Sequence, residues 1–131
     1  MTNTTVISAV SAGTSTNVGP WFSPIKTTLQ AATTAVKLSC RVTLGVSSDS
    51  GSKIRFWQAV STVSYSTALA GAQALISGAE YVDLLVKSGS SVDIERGSGV
   101  LVTGAGYHYC WVEMPTLSTA CTLNAYLQEL P

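Results

Sequence analysis

Few residues in this chain are equipped for reaction chemistry. They are one histidine, His108, three cysteines, Cys40, Cys110 and Cys121, and seven carboxylates, Asp49, Glu80, Asp83, Asp93, Glu95, Glu113 and Glu129. A single imidazole rules out a His-rich metal site and a pair of imidazoles dividing acid and base work. A cysteine nucleophile needs its imidazole in contact. His108 and Cys110 share a face but stand two residues apart on one extended run, roughly 6–7 Å between Cα atoms. The expectation for His108 is therefore a hydrogen-bonded structural role. Asp93 and Glu95 point the same way on one strand and could flank a cation, but such a pair on a polar strand face is usually solvated or answered by a neighbour such as Arg96 or Lys87. The GSG at 97–99 and the GAG at 104–106 are turn glycines, and no P-loop, GxGxxG, GxSxG or EF-hand spacing occurs. The sequence predicts no catalytic residue, no metal ligand set and no cofactor.

The cysteines are odd in number and form no CxxC. Their default is free thiols packed as small apolar side chains. Cys110 and Cys121 could meet across a C-terminal hairpin, a bond that a reducing cytoplasm disfavours.

These groups must be positioned by strands. From Tyr107 the chain alternates, with His108, Cys110, Val112 and Met114 on one face and Tyr107, Tyr109, Trp111 and Glu113 on the other. Pro115 and a polar turn at 116–119 precede a second alternating run, in which Cys121, Leu123, Ala125 and Leu127 oppose Thr122, Asn124, Tyr126 and Gln128. The spacing predicts a hairpin whose two apolar faces lie on the same side of one sheet. Upstream, Val36, Leu38, Cys40, Val42, Leu44 and Val46 alternate with Lys37, Ser39, Arg41 and Thr43. Ile54, Phe56 and Val60 oppose Lys53, Arg55 and Trp57, and Val82, Leu84 and Val86 point inward from 80–87, before a turn around Gly89. At the start, Val6, Ser8 and Val10 oppose Thr5, Ile7 and Ala9. Pro20 and Pro24 bracket Trp21 and Phe22 in an extended edge piece, with Trp21 as a plug over the end of the core. Only 67–78, TALAGAQALISG, is rich enough in alanine and leucine for a short helix, with Ser66 or Thr67 as N-cap; Gly71 weakens it. Some seven to nine strands at spacings of about 8–12 residues predict an all-β antiparallel sandwich or jelly roll with at most one short helix. Residues 1–131 form a single domain, of which 1–34 could include an extended N-terminal arm.

The aromatic face of 107–111 demands a cover. A second sheet of the same chain, a neighbouring subunit, or a sugar stacked on an exposed platform would each supply one. Trp21, Phe22, Trp57, Tyr107, Tyr109 and Trp111 are the candidate contact residues of a protein interface. As a sugar platform they would need hydrogen-bonding partners such as Asp93, Glu95 or Asn124.

Composition narrows the partners. Net charge is zero and charged residues make up only 11% of the chain. The seven basic residues are scattered, whereas binding to a phosphate backbone needs them clustered, so nucleic acid is not an expected partner. No apolar run approaches the roughly 20 residues of a membrane helix, and the N-terminus lacks the basic start of a secretory signal. Synthesis in a host cytoplasm is the expectation. The opening SAGTSTNVGPWFSPI, the Ser/Thr/Gly-rich strands and the closing YCWVEMPTLSTACTLNAYLQEL resemble the small structural proteins of tailed bacteriophages. The resemblance is to the β-sandwich or jelly-roll decoration (cement) proteins that sit on a capsid shell. It implies a non-enzymatic virion protein on the capsid surface that forms homotrimers or homodimers and holds neighbouring major capsid subunits together. A carbohydrate-binding module of a tail or surface structure, or a tail or connector subunit, are the alternatives.

Overall fold

A computed structural model of the chain describes residues 3–14, 18–46, 49, 51–85, 93–104 and 106–131. Its strands are β1 (Asn3–Ala12), β2 (Gly19–Thr28), β3 (Ala35–Thr43), β4 (Lys53–Ser61), β5 (Glu80–Leu85), β6 (Asp93–Gly97), β7 (Leu101–Val102), β8 (Tyr107–Met114) and β9 (Cys121–Leu130). One helix, α1 (Ala68–Leu75), runs into a 3-10 turn at Ile76–Gly78.

The first half of the chain pairs antiparallel with the second. β1 meets β9, β2 meets β8, β3 meets β6 and β7, and β4 meets β5. That long ribbon is rolled up because β3 also pairs with β9, and β4 with β8. Two sheets result, ordered β1-β9-β3-β6 (with β7 also on β3) and β2-β8-β4-β5. This is the strand order of a jelly roll, with β6 and β7 sharing one strand's place. The all-β class, the strand number and the single short helix agree with the sequence.

Alternation decides what each strand buries. Val36, Leu38, Cys40 and Val42 of β3 and Leu123, Ala125 and Leu127 of β9 face Ile54 and Phe56 of β4, Leu84 of β5, and Cys110 and Val112 of β8 across the gap between the sheets, all of them buried. Every one of these falls on the parity read from the sequence. Two strands deviate. In β1 the register slips between Thr5 and Ile7 and again between Ile7 and Val10, Ala9 takes a positive φ of 50°, and both Val6 and Ile7 are buried. The expected opposition of Val6 to Ile7 therefore fails at a bulge, whose extra residue breaks period two. In β2 the slips fall on either side of Phe22, Ser23 has a φ of 50°, and Pro20 and Pro24 are accommodated because the strand is an edge with β8 on one side only. β1 and β2 are edge strands, one in each sheet.

The C-terminal hairpin is corrected. β8 and β9 lie in different sheets, and residues 115–120 cross between them. Parity cannot tell two strands side by side from two strands face to face, since either arrangement brings their apolar faces together. The crossing is fixed by other loops rather than by a tight turn. Leu117 is buried and its N–H donates to Gly13 O at 2.7 Å. The carboxylate of Asp49 accepts from Ser118 N (2.8 Å), Ser118 Oγ (2.6 Å) and Thr119 N (3.3 Å). Cys110 and Cys121 consequently stand in opposite sheets, and both are free, as is Cys40. The turn expected around Gly89 and the inward Val86 lie outside the described residues.

Thr67 caps α1, its hydroxyl accepting from Ala70 N at 3.0 Å. Gly71, which argues against a helix on propensity, has a reason to be there. It is buried, and a methyl group on it would sit inside the van der Waals envelope of the Tyr109 ring. Gly71→Ala should gain up to about 1 kcal/mol of helix propensity and lose about 1–3 kcal/mol to overpacking. A net drop in the urea unfolding midpoint is expected, and Tyr109→Leu in the same background should recover part of it.

Candidate functional site

The site is built on the outer face of the β2-β8-β4-β5 sheet. Across it, strand register sets aromatic side chains in a row. Trp57 is paired with Trp111 on one side and with Tyr81 on the other. The Trp57 and Trp111 rings lie nearly parallel, 8° apart with centroids at 6.1 Å, and Trp21 packs on Trp111 at 6.1 Å. Tyr81 meets Trp57 edge-on at 5.0 Å. Arg55 lies over the Tyr81 ring, its guanidinium carbon 3.7 Å from the centroid, and grips Asp83 with two bonds, Nε to Oδ1 at 2.7 Å and Nη2 to Oδ2 at 3.1 Å. That pairing holds the Asp83 carboxyl below its usual range and pushes the Arg55 guanidinium up. Trp57 Nε1 donates to Glu113 at 3.1 Å.

What covers the aromatic face is the chain itself, though not its second sheet. The β4–β5 connection folds back over β2 and β8, and Ala59, Ala72, Tyr109 and Trp111 form a second buried cluster beneath it, flanked by Trp21, Trp57, Tyr65 and Tyr107. The Tyr109 hydroxyl donates to Val63 O and accepts from Tyr65 N, each at 3.0 Å. Lys26 Nζ donates to Ser64 Oγ (2.6 Å) and Tyr65 O (3.0 Å) while lying over the Tyr107 ring.

The six predicted contact residues therefore separate. Tyr109 and Trp111 are buried under the connection and are withdrawn as docking side chains. Trp21, Trp57 and Tyr107 are half-buried in the same layer, so Trp21 is part of the outer cover rather than a plug on the inter-sheet core. Phe22 points the other way, half-buried against that core. Sequence reasoning passed over Tyr81 and Leu85, which are 51% and 46% exposed on the same outer face. The alternation of β5 already carried that signal; the register bringing Tyr81 against Trp57 did not show in the sequence. Asn124 is spent inside the fold, its Oδ1 accepting from Ala9 N of the β1 bulge at 2.9 Å. Asp93 and Glu95 belong to β6, and their side chains lie outside what the structure describes.

The histidine and the three cysteines are held away from water. His108 is fully buried with Nε2 2.8 Å from Gln58 Oε1, the structural role expected of it, and burial pulls its imidazole down to about 4. Burial pushes the Cys110 thiol up to about 12 and Cys121 to about 11, and raises Cys40 as well. Thiols so protonated are poor nucleophiles and poor ligands. Among the described residues, no three His, Cys, Asp or Glu side chains gather as a metal site. No family model, curated protein or solved structure matches the chain.

The depressed imidazole makes stability depend on pH. Between about 6.5 and about 4 the unfolded chain takes up a proton at His108 that the folded chain refuses. The contribution is present in full above that window and is lost as pH falls through it, by up to about 3 kcal/mol. Asp49, lowered by its bonds to Ser118, adds a separate loss only at still lower pH, below its ordinary value of 3.8. Unfolding midpoints taken in steps from pH 7 to pH 4 should fall steadily in the wild type and much less in His108→Gln.

Proposed function

We propose that this chain is a non-enzymatic structural protein of a virion, of the capsid-decoration (cement) kind, that binds major capsid subunits and further copies of itself. The observation that carries the reading is the uncovered end of the outer face on β4 and β5. Tyr81 stands exposed there across from Trp57 and Leu85 across from Lys53, with Arg55 between them held over the Tyr81 ring by Asp83. Tyrosine, tryptophan and arginine are the residue types that dominate protein contacts, and side chains already immobilised lose little entropy on docking. Among the described residues β5 is the edge of its sheet, with no strand paired on its outer side, the kind of edge to which a neighbour's strand can add. The jelly roll is an architecture of capsid proteins, although it serves lectins too, and fold alone does not choose between them.

Trp57 packs against Trp111 and Tyr81 against Arg55, so both rings are held in place before any partner arrives. A chain with 11% charged residues and no net charge also repels its own copies weakly, which suits a packed lattice. Cooperative binding then follows from many modest contacts acting together.

The test is co-sedimentation with expanded, empty heads of the phage whose genome encodes the chain. Wild type should saturate the shell. Tyr81→Ser with Leu85→Ser should bind at least tenfold more weakly with an unchanged melting temperature, whereas Trp111→Ala should melt earlier. Unaltered binding by the double variant, or failure of wild type to bind any head, would sink the proposal.

A further inference from the structure

A cavity of about 320 Å³ opens where β4 outruns β5. The last β4–β5 pair is Gln58 with Glu80, so residues 59–61 keep β8 on one side and, among the described residues, no strand on the other. Ala59, Val60, Leu75 and Leu101 give the cavity apolar walls, and Gln58 and Ser77 bring polar groups to it. Its volume falls at the lower end of the range of roughly 300–1,000 Å³ found for small-molecule sites.

The polar side is unfinished. Gln58 and His108 are both fully buried and bonded to each other, yet Gln58 Nε2 and His108 Nδ1 have no partner. If the imidazole donates from Nε2, the pair retains amide N–H donors and a bare Nδ1 acceptor. With the amide turned over, it retains a carbonyl acceptor and an Nδ1–H donor. Either way Gln58 keeps unused polar groups, two N–H donors in the first case and a carbonyl acceptor with one N–H in the second, and a hydroxyl can answer either. A water could do the same but would leave the apolar walls facing solvent.

We propose that this cavity is a binding site for a small, mainly apolar molecule bearing a hydroxyl, with the apolar body against Val60, Leu75 and Leu101 and the hydroxyl turned to the Gln58 side-chain amide. Neither Tyr81 nor Leu85 lines the site, and it is independent of the virion reading.

Benzyl alcohol and toluene are suitable probes, because they differ only in the hydroxyl. In titrations followed by NMR, benzyl alcohol should give saturable shifts of the Gln58 side-chain amide and the His108 ring, and toluene should bind roughly tenfold more weakly. Ala74→Phe, at an exposed position on the cavity wall, should fold normally and abolish binding. Gln58→Leu should bind the two probes alike; should that variant not fold, Ala74→Phe and the probe comparison carry the test. Absence of saturation, equal affinity for the two probes in wild type, shifts centred on Tyr81 and Leu85, or undiminished binding by Ala74→Phe would each overturn the site.

Discussion

β8 carries apolar side chains on both faces. Cys110 and Val112 belong to the core between the sheets, while Tyr107, Tyr109 and Trp111 project outward from the same strand. A strand of that kind cannot sit in a two-layer sandwich without a third layer, because aromatic area left in water costs about 25 cal/mol per Å². The β4–β5 connection supplies that layer, and Tyr109 fixes it in place. Its ring fills the space left by the missing side chain of Gly71, and its hydroxyl takes both a carbonyl and an N–H from the strand-to-helix segment. Helix propensity alone would not hold eight residues with a glycine among them. The helix exists because it is seated.

The same dependence explains what could be read in advance. Strand faces were legible because burial on one side imposes period two, and β3, β9 and β4 as far as Gln58 obey it. The helix was legible from Ala and Leu content and from Thr67. Sheet membership was not. Cys110 and Cys121 fall on inward positions whether their strands lie beside or opposite each other, and only long-range pairing, β8 with β2 and β4, β9 with β1 and β3, settles it. Local pattern is equally blind to a bulge whose extra residue is satisfied by a distant Asn124. The outer aromatics were recognised as needing a cover, but parity gives no hint that a connecting segment would provide it.

Scarcity of charge shapes the interior as well as the surface. With seven basic residues in the chain, buried acids are answered by neutral donors. Asp49 takes the amides and hydroxyl of the 118–119 turn; Glu129 takes Gln30 N at 2.8 Å and the Thr33 hydroxyl at 2.7 Å. Each joins segments that the ladder leaves unconnected, one at the crossing between the sheets and the other where β9 ends. Hydrogen bonds to a carboxylate gain from its charge without the desolvation of a second ion, so such joints suit a chain poor in lysine and arginine.

The two outer faces then differ in kind. Beside the inward residues of β3 lie Lys37, Ser39 and Arg41, none of them buried, and water is an adequate cover for that surface. On the opposite sheet the helix reaches β2 and β8 and stops, leaving Tyr81, Leu85 and the edge of Trp57 beyond it. An outer layer rich in aromatic side chains but covered over only part of its width has an unfinished side. Arg55 and Asp83 hold that side rigid without hiding it, where a flexible pair of side chains could have folded over it. That rigidity is what the proposed docking would draw on, since side chains already fixed lose little entropy when a partner arrives.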